Sequence, residues 1–204
     1  MDISTQMRER ARAHLLESAE TKHRVAGQCL ESLVRAAQLL TESFAAGGKL
    51  LLCGNGGSAA DCQHIAAEFV STLTQDFRRP GLKAIALTTD TSFLTAYTND
   101  FGYEGVFARQ VETFGAPGDT LIGISTSGNS KNVLNAMEVA RKIGLRTIGL
   151  AGSGGQIHEL ADIVIGVPSK STQHIQEAHI TIGHILCDLV ERCLFDGKQG
   201  GTGA

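Results

Sequence analysis

His64 and Glu68, four residues apart, form the pair of side chains in this chain with the clearest chemical potential. Four residues turn an α-helix by one full turn and about 40° more, so both side chains would leave the same helical face. Such a pair can share a metal ion or act as a base with an orienting partner. The same spacing also occurs in surface pairs that bind nothing. The position of the pair, one turn after a glycine-rich loop, favours the chemical interpretation.

That loop, Gly54 to Ser58, joins an apolar run to the helix that carries His64. Its glycines let a ligand approach the backbone, and the first amides of the helix would face an anion such as phosphate. We expect Ser58 to be the N-cap. A serine-capped turn with no ligand is the alternative. Neither a Walker loop nor a dinucleotide fingerprint fits, because no Gly-Lys-Ser/Thr follows and Ala59 occupies the place of the third glycine.

A second loop rich in hydroxyl groups, residues 125–130, reads Ser-Thr-Ser-Gly-Asn-Ser and again lies before a predicted helix. Four hydroxyls and a run of amides can surround a phosphate, although a serine-rich helix cap would have a similar sequence. Its position at the end of a predicted strand favours phosphate binding, since ligands of α/β sheets bind outside the carboxyl ends of the strands.

The C-terminal helix predicted over Thr172–Phe195 carries five more polar residues of interest: His174, Gln176, Glu177, His179 and His184. Helical periodicity pairs Glu177 with His184, because seven residues return the helix to within about 20°. Gln176 and His184 would lie about 80° apart. We expect His174 and His179 to be satisfied polar residues on a half-exposed helix.

The elements that must position these residues alternate between strands and helices. The predicted strands are Lys49–Cys53, Lys83–Leu87, Thr120–Ser125, Arg146–Ala151 and Asp162–Val167. Five buried strands separated by helices predict an α/β fold with a doubly wound, five-stranded parallel sheet flanked by helices. We expect one domain over residues 1–195 and a flexible glycine-rich tail over 196–204.

The N-terminal arm, residues 1–47, predicts a long amphipathic helix that ends at Gly47-Gly48. Its apolar stripe steps by three or four residues through Val25, Cys29, Leu33, Ala37, Leu40 and Phe44. This helix either packs against another subunit or covers the sheet of its own chain, and the sequence leaves both possibilities open.

Composition excludes several other classes of protein. A net charge of −3 with a pI near 6.1 provides no basic surface for nucleic acid, and aromatic residues are only 5% of the chain. Five cysteines without Cys-x-x-Cys spacing indicate neither a disulfide framework nor a cysteine zinc site. The N-terminus lacks a secretory signal and no apolar run is long enough to span a bilayer, so we expect a cytoplasmic protein without membrane or nucleic-acid partners.

Five blocks of the chain resemble the sugar isomerase (SIS) family. They are GNGGSAADCQHIAAEF from Gly54, and residues 87–92, 99–103, 124–130 and 175–184. Within that family they are most similar to the phosphoheptose isomerases, in register from the N-terminal helix to Leu194. The resemblance implies an SIS fold, a homotetramer and conversion of sedoheptulose 7-phosphate to D-glycero-D-manno-heptose 7-phosphate through an enediolate. This sugar phosphate would serve ADP-heptose and lipopolysaccharide precursor synthesis.

Carried over by position, the resemblance implies one zinc ion per subunit, bound by His64, Glu68, Gln176 and His184. The resemblance thereby assigns Gln176 as a ligand beside His184, in place of Glu177, which helical periodicity favours. Ideal helical angles need not hold near a helix start. The implied substrate contacts are Asn55, Gly56, Gly57, Ser58, Glu68, Asn99, Asp100, Ser125, Thr126, Ser127, Ser130 and Gln176.

In the reaction implied by the resemblance, Glu68 is the base for the C1 proton, and His184 is the acid/base partner that also assists ring opening. A metal-bound carboxylate is a weaker base. Either the ligand arrangement therefore changes during turnover or the metal mainly positions the substrate.

One position departs from the family pattern, because Thr72 stands where several relatives carry an arginine. Arg78 or Arg79 could compensate. Three alternatives remain at this stage: a non-catalytic SIS protein that binds the replication initiator, a sugar-phosphate sensing domain, and an SIS isomerase for another sugar phosphate. The presence of Glu68 and His184 favours an enzyme, and no helix-turn-helix module accompanies the fold.

Overall fold

A five-stranded parallel sheet lies at the centre of the computed structural model, which describes residues 2–196. Its strands are β1 (Leu50–Gly54), β2 (Ala84–Ala86), β3 (Thr120–Ser125), β4 (Arg146–Ala151) and β5 (Ile163–Gly166), in the order β2-β1-β3-β4-β5. This confirms the predicted doubly wound α/β fold. The predicted glycine-rich tail lies outside the described residues from position 197 onward.

Eight α-helices and one 3-10 turn surround the sheet within residues 2–196. The helices are α1 (Ile3–Gln28), α2 (Leu30–Ala45), α3 (Gly57–Val70), α4 (Thr91–Phe101), α5 (Val106–Phe114), α6 (Lys131–Lys142), α7 (Ile157–Leu160) and α8 (Thr172–Phe195). The 3-10 turn covers Tyr103–Gly105. None of these helices combines the length and the apolar character that crossing a membrane requires.

The helices form two layers because successive residues of each strand point to opposite faces of the sheet. On β1, Leu50 and Leu52 join a core beneath α2, α3 and α8. Leu51 and Cys53 join a second core beneath α5 and α6. All five residues of β1 are buried, as expected of a central parallel strand that is covered on both sides.

The N-terminal arm forms two helices instead of the single helix that its sequence predicts. The break is at Cys29, whose backbone (φ −111°, ψ 0°) departs from helical geometry and whose thiol donates a hydrogen bond to the Gly166 carbonyl at 3.3 Å. The C-terminal part of the predicted stripe lies on α2, which buries Leu33, Leu40 and Phe44. This part therefore covers the sheet of its own chain, whereas the first half of α1 is largely exposed.

The two loops predicted to bind phosphate lie at the topological switch point of the sheet. β1 lies between β2 and β3, so the connections leaving β1 and β3 go to opposite faces and open a crevice at their carboxyl ends. Residues 55–58 follow β1 and residues 126–130 follow β3. The fold therefore places both predicted phosphate loops where ligands of such sheets bind.

Candidate active site

Three side chains converge between α3 and α8. His64 Nε2 lies 2.8 Å from His184 Nε2 and 3.3 Å from Glu68 Oε1. The helices approach closely because Gly183 precedes His184: a methyl group there would lie 2.7 Å from Ile65 Cδ1. His64 remains 48% exposed, so the cluster is open to solvent on one side.

The three ligand atoms of this cluster fit a metal ion. They lie within 4.8 Å of one another. His64 Nε2 offers either one proton or one lone pair, yet it faces both a second imidazole and a carboxylate. Zinc bonds of about 2.0–2.2 Å place neighbouring ligand atoms roughly 3.3 Å apart in a tetrahedral site. A cation at this point would satisfy all three groups, and two imidazoles with one carboxylate are a donor set that zinc accepts.

Gln176, the fourth predicted ligand, lies at the other end of the helix pair. Its side chain contacts the glycine turn, where a Cβ on Gly57 would be 2.8 Å from Gln176 Nε2. Eight residues separate Gln176 from His184, which is about 12 Å along a helix. Glu177, the partner of His184 by periodicity, instead pairs with His14 on α1 at 2.8 Å. The chain therefore brings together His64, Glu68 and His184, and places Gln176 beside the glycine turn.

The glycine turn differs from prediction at its cap. Gly56 is the N-cap of α3, with φ +56°, a conformation that favours glycine, and no side chain caps the helix. Ser58, predicted to be the N-cap, is instead buried within the first turn and packs against Gly54. The prediction was wrong because the chain turns two residues earlier than the serine, which leaves the first amides of α3 without a side-chain acceptor.

Asn55 links the two loops of the crevice through a residue that the sequence analysis missed. Asn55 and Asn132 exchange two amide hydrogen bonds, each 2.9 Å long, and the Tyr103 hydroxyl donates a third to Asn55 Oδ1 at 2.9 Å. Asn132 is buried on the first turn of α6. Tyr103 belongs to one of the resembling blocks, whereas for Asn132 the sequence offers only its place two residues after Ser130.

The hydroxyl loop forms a compact cradle before α6. Ser125 Oγ donates to Ser130 Oγ at 3.0 Å and lies 3.4 Å from Ser127 Oγ. Gly128 adopts φ +67° and has no room for a side chain, since a Cβ would clash with the Gly154 carbonyl. Ser130 is the N-cap of α6 without a side-chain cap bond. Clustered hydroxyls and an uncapped helix start together suit a phosphate.

Thr126, Asn99 and Asp100 are the remaining predicted substrate contacts. Thr126 lines an open cavity of about 430 Å³ together with Ser127 and Lys170. Asn99 and Asp100 lie near the end of α4, exposed to solvent, where the Asn99 amide donates to Asp100 Oδ1 at 2.8 Å.

Arg79 does not replace the arginine that relatives carry at the position of Thr72. Its guanidinium is fully buried and donates to the carbonyls of Glu68 (2.8 Å) and Phe69 (2.7 Å) as well as to Glu191 Oε1. It therefore caps the end of α3 and is not available to a substrate. Arg78 is exposed.

Burial raises the pKa values of the ionisable groups closest to the glycine turn. It raises the pKa of Cys53 to about 12 and that of Cys62 well above its usual range, so both thiols stay protonated and are poor nucleophiles. Burial also raises the pKa of Asp61, one turn before His64, an effect that the nearby imidazole partly offsets.

Comparison with known proteins identifies similar chains. The SIS domain family matches residues 14–152. The phosphoheptose isomerase of Roseiflexus sp. (strain RS-1) is 56% identical over 180 residues, which are 88% of this chain and 90% of that protein. The structure of a phosphoheptose isomerase from Neisseria gonorrhoeae matches with a TM-score of 0.85 and 44% identity, over 90% of this chain and 98% of that one. A phosphoheptose isomerase structure from Francisella tularensis matches with a TM-score of 0.86 and 35% identity, over 90% and 97%.

Proposed function

Since this chain belongs to the SIS-domain family and, within it, to the phosphoheptose isomerases, we propose that it converts sedoheptulose 7-phosphate to D-glycero-D-manno-heptose 7-phosphate. The observation that carries this proposal is the convergence of Glu68, His64 and His184 on one point between two packed helices. The reaction is an aldose–ketose isomerisation, and its product would supply precursors of heptose-containing cell-surface glycans.

Substrate binding rests on the crevice at the carboxyl ends of β1 and β3. The hydroxyls of residues 125–130 and the uncapped start of α6 hold the phosphate, far from the reacting carbons. Asn55, fixed by Asn132 and Tyr103, and the amides of Gly56 and Gly57 orient the sugar hydroxyls. Binding energy from the phosphate thereby contributes to the orientation of C1 and C2.

Proton transfer is assigned to Glu68 and His184. Glu68 removes the proton from C1 of the open-chain ketose, which gives the enediolate, and returns a proton to C2 to form the aldose. His184 donates to and accepts from the sugar oxygens and assists ring opening. His64, 2.8 Å from His184, holds that imidazole in place.

We further propose that His64, Glu68 and His184 hold one zinc ion per subunit, with Gln176 of the partner subunit as the fourth ligand. The distances among His64, Glu68 and His184 support this proposal, because these three donors suit the spacing of a tetrahedral zinc site. When bound, the ion supplies Lewis-acid polarisation of the carbonyl and hydroxyl oxygens. Removal by a chelator should abolish activity, and added zinc should restore it.

The decisive experiment is a panel of phosphorylated ketoses with identification of each product. We expect conversion of sedoheptulose 7-phosphate and much slower turnover of pentulose and hexulose phosphates. In D2O the aldose should carry deuterium at C2. No conversion of sedoheptulose 7-phosphate, with turnover of another ketose phosphate, would reassign the substrate, and no turnover of any would favour a binding protein.

Variants test the assigned roles within the same panel. Glu68→Gln and His184→Ala should each lower kcat by roughly 10²–10⁴-fold, the usual contribution of general acid–base catalysis. Gln63→Ala, on the same helix but outside the cluster, is the matched control and should stay near wild type. Wild-type kcat in both cluster variants would refute the catalytic assignment.

We also propose a homotetramer located in the cytoplasm. Exposed apolar side chains on α1 support an assembly, namely Ile3, Met7, Leu15 and Leu16. The five cysteines are free thiols, which agrees with a reducing compartment. Light scattering should give four times the 21.5 kDa chain mass.

A further inference from the structure

A second group of metal-ligating side chains lies away from the cluster at His64 and consists of His14, His174 and Glu177. Their ligand atoms lie within 4.8 Å of one another. His14 Nε2 is 2.8 Å from Glu177 Oε1, and His14 Nδ1 is 3.3 Å from His174 Nε2. The proposed reaction uses none of the three.

Two helices distant in sequence supply the group. His174 and Glu177, three residues apart on the first turns of α8, leave the same face of that helix. His14 comes from α1 and packs edge-on against the His174 ring, with ring centroids 4.5 Å apart. His174 is only 5% exposed. The three residues therefore form a preformed junction between the N-terminal helix and the helix that carries His184.

Hydrogen bonds alone leave part of this group unsatisfied. Glu177 Oε2 is inaccessible to solvent and makes no hydrogen bond within residues 2–196. The rest of the carboxylate is accessible, since the Glu177 side chain is 36% exposed, so a cation can reach the group from solvent. His174 also lines an open cavity of about 400 Å³ together with Glu17, Glu20 and Arg24, which leaves room for a water ligand beside the group.

The donor set matches one chemical class of ligand. Two imidazoles and one carboxylate bind zinc in many proteins, with a water molecule as fourth ligand. One ligand atom from each residue lies within 4.8 Å of the other two, so shifts of up to about 1.5 Å bring the three atoms to the tetrahedral spacing of roughly 3.3 Å around bonds of about 2.0–2.2 Å.

We propose that His14, His174 and Glu177 form a second binding site for a divalent transition metal ion such as Zn²⁺, which ties α1 to α8. The site is separate from the one at His64, and the tie does not depend on isomerase activity. Its role is to fix the N-terminal helix, whose first half makes few contacts within the chain.

Metal stoichiometry tests this proposal without reference to catalysis. The full chain is stripped with a chelator, dialysed against Zn²⁺ and measured by elemental analysis. We expect two zinc ions per subunit in wild type, and one in His14→Ala and in Glu177→Gln. A His64→Ala/His184→Ala double variant should also retain one, held by the second site. His23→Ala, an exposed histidine on the same helix α1, is the matched control and should retain two.

The location of the ion is tested by anomalous scattering at the zinc edge. A peak about 2.0–2.2 Å from the His14, His174 and Glu177 ligand atoms is expected. His14 is partly exposed, so its variant should fold, and circular dichroism of the metal-free protein checks this. Unchanged stoichiometry in both folded single variants, or zinc lost completely with His64 and His184, would reduce the group to a hydrogen-bonded junction.

Discussion

At the residue scale, Asn132 and Asn55 orient each other, since each side-chain amide both donates to and accepts from the other. This pairing leaves the Asn55 side chain one orientation between β1 and α6. In Asn132→Ala the Asn55 amide keeps only the Tyr103 hydroxyl as a partner and is held less firmly. We expect KM for the sugar phosphate to rise roughly 10-fold, the effect of about 1.4 kcal/mol, with a smaller change in kcat.

Asn135→Ala, one turn further along α6, is the control for this prediction. Asn135 donates to the Glu104 carbonyl at the surface and faces no site residue in the part of the chain that the structure describes. Steady-state kinetics of both variants distinguish orientation of Asn55 from a general effect on α6. Equal KM values would contradict the role given to Asn132.

His179 makes stability depend on pH. Burial lowers its pKa to about 4, an effect that its hydrogen bond to the Ala151 carbonyl only partly offsets. Its pKa in the unfolded chain is about 6.5, so between these values the unfolded state binds more protons. The free energy of unfolding should therefore fall by up to about 3 kcal/mol as pH drops from 6.5 to 4.

His179→Gln removes this titration while retaining a donor for the Ala151 carbonyl. Urea unfolding at pH 7 and pH 4.5, with chelator present, should give a smaller difference for the variant than for wild type. His23→Gln, an exposed histidine, should leave the wild-type difference in place. An unchanged pH dependence in His179→Gln would show that other groups cause it.

At the scale of elements, Arg79 and Glu191 join the end of α3 to α8. Arg79 bonds the carbonyls of Glu68 and Phe69, and Glu191 Oε1 also accepts from the Leu73 amide at 3.1 Å. Both side chains are almost completely buried. Removing one partner leaves a buried charge uncompensated, so Arg79→Met should destabilise the fold by about 3–5 kcal/mol.

The double variant Arg79→Met/Glu191→Leu should recover much of this loss, because it removes both charges together. Arg109→Ala breaks an exposed pair with Glu112 and serves as the control, with an expected cost of about 0–1 kcal/mol. Chemical denaturation measures all three. A loss in Arg79→Met as small as that in Arg109→Ala would disprove the structural role of this pair.

Several element boundaries could be predicted from the sequence because hydrophobic pattern and length determine them. β3, β4 and α8 have the predicted bounds, and β1 differs by one residue at each end. The break at Cys29 could not be predicted, because the apolar spacing of three and four residues continues through it. A thiol contact with Gly166, 137 positions away, accompanies the break and has no local signal.

Only the part of the candidate site that residues close in sequence form could be predicted. The pairing of His64 with Glu68 follows from helical spacing alone, and His184 then joins them through packing of α8 on α3. Glu177 contacts a histidine 163 positions earlier instead of His184, since periodicity gives the face of a helix but not its neighbour. Asn132 was missed for the same reason.

At the scale of the whole molecule, the four predicted zinc ligands do not meet at one point within a single chain. Gln176 contacts Gly57, about 12 Å along α8 from His184. A partner subunit docked on this face could bring its own Gln176 to the cluster. We therefore predict that each active site combines His64, Glu68 and His184 with Gln176 of the partner subunit.

Mixed oligomers test this arrangement. Gln176→Ala and His184→Ala chains, each inactive alone, are co-expressed with different tags and purified through both. A two-fold interface would then contain one intact site and one doubly defective site, so about half of the wild-type activity per pair should return. Co-expressed His64→Ala and His184→Ala chains are the control. Their substitutions fall on a cluster formed within one subunit, so their mixture should stay inactive, whereas an inactive Gln176/His184 mixture would place Gln176 in the site of its own subunit.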